Sequence, residues 1–185
     1  MIATLRPLTY DDLVQMPDDG NRREVLEGEL IVNLAPRRDH QEVAANLDWI
    51  LQRFLRSSDS GRVYTHPVDV YLGRHDIVQP DLVVIQTSRL DIYRPEGIVQ
   101  EPPDIVVEIL SPSTRGIDLV RKMALYARSG VPEYWIADPE RRMLVINIVR
   151  GEDCVPVDPD ADGSLASPTL PGLQVDLAEV FSGLD

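Results

Sequence analysis

Residues 105–110 read Ile-Val-Val-Glu-Ile-Leu, and this stretch decides the fold. A nearly continuous run of Val and Ile is typical of a strand that is buried on both faces of a sheet. Downstream, residues 116–129 predict a helix that ends at Gly130, and residues 133–137 predict another strand. A strand, a helix and a strand in this order predict a right-handed crossover between parallel strands.

The segments on either side of this unit add a hairpin, a long helix and more strands. Residues 22–26 and 29–33 flank Glu27-Gly28, which predicts a β-hairpin. Apolar residues recur at helical spacing and predict an amphipathic helix over residues 40–57. The remaining predicted strands cover residues 62–72, with an interruption at Pro67, and residues 81–85 and 143–149. This order of elements indicates an α/β fold, a mixed β-sheet flanked by helices with an N-terminal hairpin.

The composition is that of a globular protein. The chain has 185 residues, 43% of them hydrophobic and 26% charged, and we expect one domain over residues 1–185. No apolar run approaches the ~20 residues that cross a bilayer, so no membrane association is expected. Residues 1–11 show no basic region followed by an apolar stretch, so we expect no secretory signal and a cytoplasmic location. Cys154 is the only cysteine, which excludes an intrachain disulfide and a cysteine-based zinc site.

The net charge of −13 argues against strong nonspecific binding to nucleic acid. The charge is unevenly distributed, because residues 151–185 contain eight acidic residues and no Lys or Arg. Residues 1–150 therefore carry 18 basic and 23 acidic residues, a net charge of −5. A solvated acidic tail is the plainer interpretation of the C-terminal segment.

Glu108 is the unusual residue of the central strand. An ionised carboxylate in an apolar strand costs several kcal/mol unless it has partners, or else it becomes protonated. Two kinds of partner remain open, a structural salt bridge and a metal ion or catalytic site.

Asp81 follows Pro80 at the start of the strand predicted over residues 81–85. An Asp in this position is often part of a turn. If this strand lies beside the strand of Glu108, the two carboxylates meet at one end of the sheet and suit Mg²⁺, which binds few protein oxygens and keeps several waters. Asp104 also follows a proline, but it lies roughly 13 Å from Glu108 along the strand and is too far to share an ion.

Lys122 is the only lysine among 18 basic residues. On the predicted helix it shares a face with Leu119 and Tyr126 rather than lying on the solvent side. Asp118, four residues earlier, offers a surface ion pair as the alternative. In the functional interpretation, Lys122 projects towards Glu108, where it orients or deprotonates a water and neutralises charge on a phosphoryl group.

These residues resemble a known motif. Pro80-Asp81, Glu108 and Lys122 are similar to the PD-(D/E)XK nuclease motif, with Leu110 where the lysine usually stands and the lysine moved to the following helix. The chain more narrowly resembles the Uma-type family of restriction endonucleases. The matching stretches are Glu24–Leu30, Ala35-Pro36 with His40, Gln79–Val84, Val107–Thr114, Asp118, Lys122, Tyr126, Gly130-Val131, Glu133–Pro139 and Leu170–Gly172.

The resemblance implies a restriction-endonuclease-like core, a divalent metal (Mg²⁺ or Mn²⁺) and phosphodiester hydrolysis. It implies that Asp81, Glu108 and the carbonyl of Ile109 bind the metal and that Lys122 is the catalytic lysine. Glu24 matches an acidic position that completes the site or holds a water. His40 either contacts phosphate or is structural.

We therefore expect a Mg²⁺-dependent endonuclease acting on DNA. The alternative from another class is a non-catalytic nuclease-fold module that binds nucleic acid or a partner protein, and a third hypothesis is a hydrolase of RNA. A homodimer, with a basic cleft formed by Arg residues of both chains, would reconcile DNA binding with the acidic net charge.

Overall fold

The computed structural model describes residues 6–17, 19–33, 35–65, 67–112 and 115–184. The expected single domain over residues 1–185 and the motif stretch that ends at Thr114 extend beyond these described residues. Within them, no helix combines the length and the apolar character that crossing a membrane requires.

The helices and strands of the described residues follow in chain order. The α-helices are α1 (Tyr10–Val14), α2 (Arg38–Ser58), α3 (Met123–Ser129) and α4 (Leu177–Val180). The strands are β1 (Arg22–Leu26), β2 (Glu29–Asn33), β3 (Gly61–Thr65), β4 (Asp69–Gly73), β5 (Asp76–Val78), β6 (Leu82–Gln86), β7 (Ile98–Val99), β8 (Ile105–Ile109), β9 (Glu133–Asp138), β10 (Met143–Arg150), β11 (Asp153–Pro156), β12 (Leu165–Ala166) and β13 (Gln174–Val175). A 3₁₀-helix covers Thr87–Ile92 and a π-helix covers Ile117–Lys122.

The central sheet has six strands in the order β11-β10-β9-β8-β6-β3. The strand β8 is buried at every position and pairs in parallel with β9 and antiparallel with β6. The predicted parallel neighbours are therefore confirmed, as is the mixed α/β class.

Two apolar layers cover the faces of this sheet. The helix α2 buries Val43, Leu47, Ile50, Leu51 and Leu55 against one face. The other face carries Val83, Val106 and Leu110, which pack against α3 and a second sheet. Because side chains alternate along a strand, Glu108 lies on the same face as Val106 and Leu110 and points towards α3.

The second sheet has five strands in the order β2-β1-β5-β4-β7. The predicted hairpin is confirmed as β1 and β2, but it does not stand alone, because Val25 of β1 pairs with Ile77 of β5. This pairing joins residues far apart in the sequence, so no local pattern predicted it. Its consequence is that the hairpin lies against the end of the central sheet that carries Asp81 and Glu108.

The hairpin turn depends on Gly28. Glu27 and Gly28 both have positive φ, +55° and +79°, as a type I′ turn requires. A Cβ on Gly28 would also lie 2.9 Å from Cα of Pro7. Gly28→Ala is therefore expected to lower the free energy of unfolding by about 2 kcal/mol, from a left-handed backbone penalty and a steric clash.

Urea denaturation measures this loss, and Gly97→Ala provides the matched control. Gly97 has φ +88° but no atom within 4 Å of the position of a Cβ, so only the backbone penalty of about 1 kcal/mol is expected there. Equal losses in the two variants would contradict the role of the Pro7 contact.

Candidate active site

Asp81 and Glu108 lie opposite each other at one end of the central sheet. The strands β6 and β8 pair Leu82 with Val107, and one further step of this antiparallel register brings Asp81 opposite Glu108. Oδ2 of Asp81 accepts a 2.8 Å hydrogen bond from the backbone N–H of Ile109. The Asp81 carboxylate thus lies one residue before the start of β6 and is held in place by the strand of Glu108.

Glu24 reaches the same place from the hairpin. Its Oε1 accepts a 2.7 Å hydrogen bond from the backbone N–H of Gln79, and its Oε2 accepts one of 2.7 Å from Nδ2 of Asn33. The same Oε1 lies 2.8 Å from Nζ of Lys122. The structure thus brings together the residues Glu24, Asp81, Glu108 and Lys122, which are between 1% and 6% exposed.

Lys122 enters the site because the helix before it is not a regular α-helix. The predicted helix over residues 116–129 is a π-helix over Ile117–Lys122 followed by α3. π-helical turns are uncommon and occur often at functional sites. Asp118 and Lys122 are both buried, so the ion pair considered from the sequence lies in the interior rather than at the surface.

Lys122 and Tyr126 share one oxygen of Glu108. Nζ of Lys122 lies 2.9 Å from Oε1 of Glu108, and the hydroxyl of Tyr126, one turn later, donates a 2.7 Å hydrogen bond to the same atom. Asp118 lies 3.7 Å from Nζ of Lys122. Glu108 therefore has the partners that a structural salt bridge requires, and its Oε2 lies 3.7 Å from Nη2 of Arg22.

Burial and neighbouring charges change the protonation of this cluster. Burial raises the pKa of the Glu108 carboxyl to about 8, and the Asp118 and Asp81 carboxylates act in the same direction. Burial opposes the charge of Lys122, but Glu108 and Glu24 outweigh it and raise the pKa of Lys122 above its usual value. A lysine that holds its proton this tightly serves as a cation and hydrogen-bond donor, and it is a poor base for activating water.

Arg22 is a site residue that the sequence analysis missed. Nη1 donates a 2.8 Å hydrogen bond to Oδ1 of Asp81, and Nη2 lies 3.6 Å from Glu24 and 3.7 Å from Oε2 of Glu108. A signal was present in the sequence, because Arg22 and Glu24 stand two apart on the same predicted strand and therefore share a face.

His40 lies beside Asp81 in a cavity of about 650 Å³. Nε2 of His40 is 3.2 Å from Oδ2 of Asp81. Burial opposes ionisation of Asp81, but the contacts with His40 and Arg22 hold its pKa well below its usual value. The cavity is also lined by the following residues at the start of α2 and around the sheet end: Arg37, Gln41, Ala44, Ala45, Asp48, Asn33, Ser111, Pro112, Asp118 and Lys122.

Asp104 and Leu110 lie outside this cluster. Asp104 accepts a 2.8 Å hydrogen bond from the backbone N–H of Gln86 and one of 2.9 Å from Nη1 of Arg89. It therefore lies at the end of the β6–β8 pair opposite to Asp81 and Glu108. Leu110, where the related motif has a lysine, packs in the apolar layer with Tyr126.

The oxygen donors at the sheet end suit Mg²⁺ or Mn²⁺. Asp81 and Glu108 supply carboxylates, and Ile109, whose carbonyl the motif assigns to the metal, lines the same cavity. Within the described ranges, no three His, Cys, Asp or Glu side chains form a metal-binding group. Two carboxylates fit an ion that keeps several of its waters.

Comparison with known proteins agrees with this fold. The family model Uma2, described as "Putative restriction endonuclease", matches residues 10–178. A search of curated proteins gave no match. A crystal structure described as "a putative nuclease belonging to DUF820", from Anabaena variabilis, has a TM-score of 0.81 at 20% identity, over 97% of this chain and 100% of that chain. Its likeness shows a shared fold, and the family match covers most of the sequence. The chain belongs to the Uma2 restriction-endonuclease family, as its motifs predicted.

Proposed function

We propose that this protein is an endonuclease of the PD-(D/E)XK type that uses Mg²⁺ or Mn²⁺ to hydrolyse phosphodiester bonds of DNA. The observation that carries the proposal is the position of Asp81 opposite Glu108 at a sheet end, in one cavity with Lys122. The cavity contains acidic oxygens for a metal and, at its mouth, basic side chains for a phosphate.

Asp81, Glu108 and the carbonyl of Ile109 would hold the metal in this proposal. The bound ion lowers the pKa of a coordinated water and offsets negative charge on the phosphoryl group. The 2.8 Å hydrogen bond from Ile109 to Asp81 fixes the orientation of the carboxylate before any ligand arrives.

Lys122 acts in this proposal as a fixed positive charge rather than as a base. Its Nζ, held between Glu24 and Glu108, can donate a hydrogen bond to the attacking water or to a phosphoryl oxygen. Glu24 positions Lys122. His40 and the exposed Arg37 lie at the cavity wall, where they can contact the phosphate.

Plasmid cleavage tests the proposal. Purified protein is incubated with supercoiled DNA, single-stranded DNA or RNA in Mg²⁺, Mn²⁺ or EDTA. Nicked or linear DNA in both metals and intact DNA in EDTA are expected. Cleavage of RNA alone would favour the RNA hydrolase, and cleavage that persists in EDTA would refute metal dependence.

A non-catalytic module is the second candidate, and the ion pairing of the site favours it. Arg22 and Lys122 already neutralise much of the charge of Glu24, Asp81 and Glu108. The acidic net charge of −13 points the same way. A protein that binds nucleic acid or a partner but cleaves no DNA or RNA in either metal would establish this alternative.

The proposal includes a cytoplasmic homodimer. A dimer would combine basic residues of two chains and so compensate for the acidic charge of each one. Light scattering coupled to gel filtration is expected to give about twice the 20.8 kDa mass of one chain. A monomer that cleaves DNA would remove the dimer from the proposal.

A further inference from the structure

Arg22 has an unusual position, because one guanidinium lies within 4 Å of three carboxylates, those of Glu24, Asp81 and Glu108. Its Nη1 is 2.8 Å from Asp81, and its Nη2 lies 3.6 Å from Glu24 and 3.7 Å from Glu108. The two nitrogens thus face the two carboxylates assigned to the metal. The side chain is only 16% exposed, so water does little to screen these contacts.

We propose that the guanidinium of Arg22 occupies the place of the divalent cation between Asp81 and Glu108, and that it leaves Asp81 when the ion binds. This inference rests on the proposed function, because it assumes that these carboxylates hold a metal.

The hydrogen bonds of Asp81 support a direct competition. Its Oδ2 already contacts the N–H of Ile109 and Nε2 of His40, so Oδ1 is the oxygen with fewer contacts and the better candidate to bind an ion. That atom accepts from Arg22. An ion bound to a carboxylate oxygen at about 2.1 Å would lie close to the guanidinium, and two positive charges at such a distance in a buried site repel each other strongly.

Arg22 is held by charge but is not fully hydrogen-bonded. Among the atoms that the structure describes, its Nε is buried without a hydrogen-bond partner. An arginine that forms all its hydrogen bonds would resist displacement. The Nε–H of Arg22 instead has no acceptor in the described part of the chain and could gain one in a new position. It lines the cavity together with Arg37 and His40, so a displaced guanidinium enters the space where a phosphate would lie.

Binding of Mn²⁺, measured by calorimetry without nucleic acid, tests the competition. Arg22→Gln removes the competing cation and is expected to bind Mn²⁺ about tenfold more tightly than wild type. Arg37→Gln is the matched control, because it removes the same charge from the exposed cavity rim. Its affinity is expected to stay within about twofold of wild type, since exposed charges are screened.

An affinity of Arg22→Gln that equals or falls below that of wild type overturns the competition. An equal gain in Arg37→Gln also overturns it, because long-range charge would then explain both results. Absence of Mn²⁺ binding by every variant overturns the metal site and this inference together. DNA cleavage by wild type with unchanged Mn²⁺ affinity in Arg22→Gln overturns the inference alone.

A measurement on the wild-type protein does not depend on the folding of the Gln variant. Addition of Mg²⁺ is expected to shift the Nε–H resonance of Arg22 in a ¹H–¹⁵N NMR spectrum and to leave that of Arg37 nearly unchanged. Arg22→Lys assigns the resonance. An Arg22 resonance that does not move at saturating Mg²⁺ shows that the guanidinium stays in place and overturns the proposal.

Discussion

Asp81→Asn is expected to lower the rate of metal-dependent DNA cleavage about 10³-fold, the largest effect on activity among these predictions. Asn has nearly the shape of Asp but no negative charge to hold a cation. Its amide group would also place a donor near the N–H of Ile109 or near Arg22, where Asp81 accepts hydrogen bonds. The measurement is the first-order rate at which supercoiled plasmid disappears in saturating Mn²⁺.

Asp104→Asn is the matched control for this substitution. Asp104 also follows a proline, is also buried, and borders the same strand pair, but it contacts Gln86 and Arg89 at the opposite end. Its cleavage rate is expected to stay within about threefold of wild type, because separated sites act independently. Urea denaturation of both variants separates an effect on catalysis from an effect on folding. Near-normal cleavage by a folded Asp81→Asn would remove Asp81 from the metal site.

Lys122→Met is expected to have the largest effect on stability, a loss of about 4 kcal/mol in the free energy of unfolding of the metal-free protein. Met retains the apolar length of Lys but leaves Glu24 and Glu108 buried without the ammonium group that now lies within 2.9 Å of both. Removing one partner of a buried ion pair costs far more than removing both. Urea denaturation in EDTA measures the loss.

Two further variants test this explanation of the loss. At a pH above the raised pKa of Glu108, the double variant Lys122→Met with Glu108→Gln carries one unpaired carboxylate fewer, so it is expected to be about 1 kcal/mol more stable than Lys122→Met alone. Arg121→Met removes the neighbouring cation, which is 30% exposed and pairs with Glu27 and Glu29, and is expected to cost less than about 1 kcal/mol. Similar losses from Arg121→Met and Lys122→Met would contradict the role of the buried ion pairs.

Most of the elements near the site could be predicted from local patterns. The hairpin β1–β2 has the predicted bounds, and α2 is longer than the predicted helix by two residues at its start and one at its end. The strand β8 follows from its run of Val and Ile. The alternation of apolar residues in strands and their helical spacing in helices are properties of short segments. They predict the elements of the fold because each apolar face has to be buried.

The second sheet and the π-helix could not be predicted in this way. The sheet depends on the pairing of β1 with β5, and the sequence around Val25 contains no pattern that predicts this pairing. The apolar spacing of this segment is compatible with an α-helix. In the π-helix, however, each hydrogen bond spans five residues instead of four. In the folded chain, Asp118 and Lys122 of this segment are both buried, and Lys122 contacts Glu24 of the hairpin.

By itself, the sequence determined the family, the α/β class and the identity of the unusual residues: a glutamate in an apolar strand, an Asp after a proline and a single lysine. These features are local, because the cost of burying a charge is already apparent in the strand that contains Glu108. Only the tertiary structure decided how the charges are paired. Arg22 and Asp81 are 59 residues apart, and Lys122 meets Glu108 and Glu24 only after three separate elements have packed together. Electrostatic partners depend on distance in space rather than in sequence, so the ion pair of Arg22 with Asp81 forms only in the folded chain.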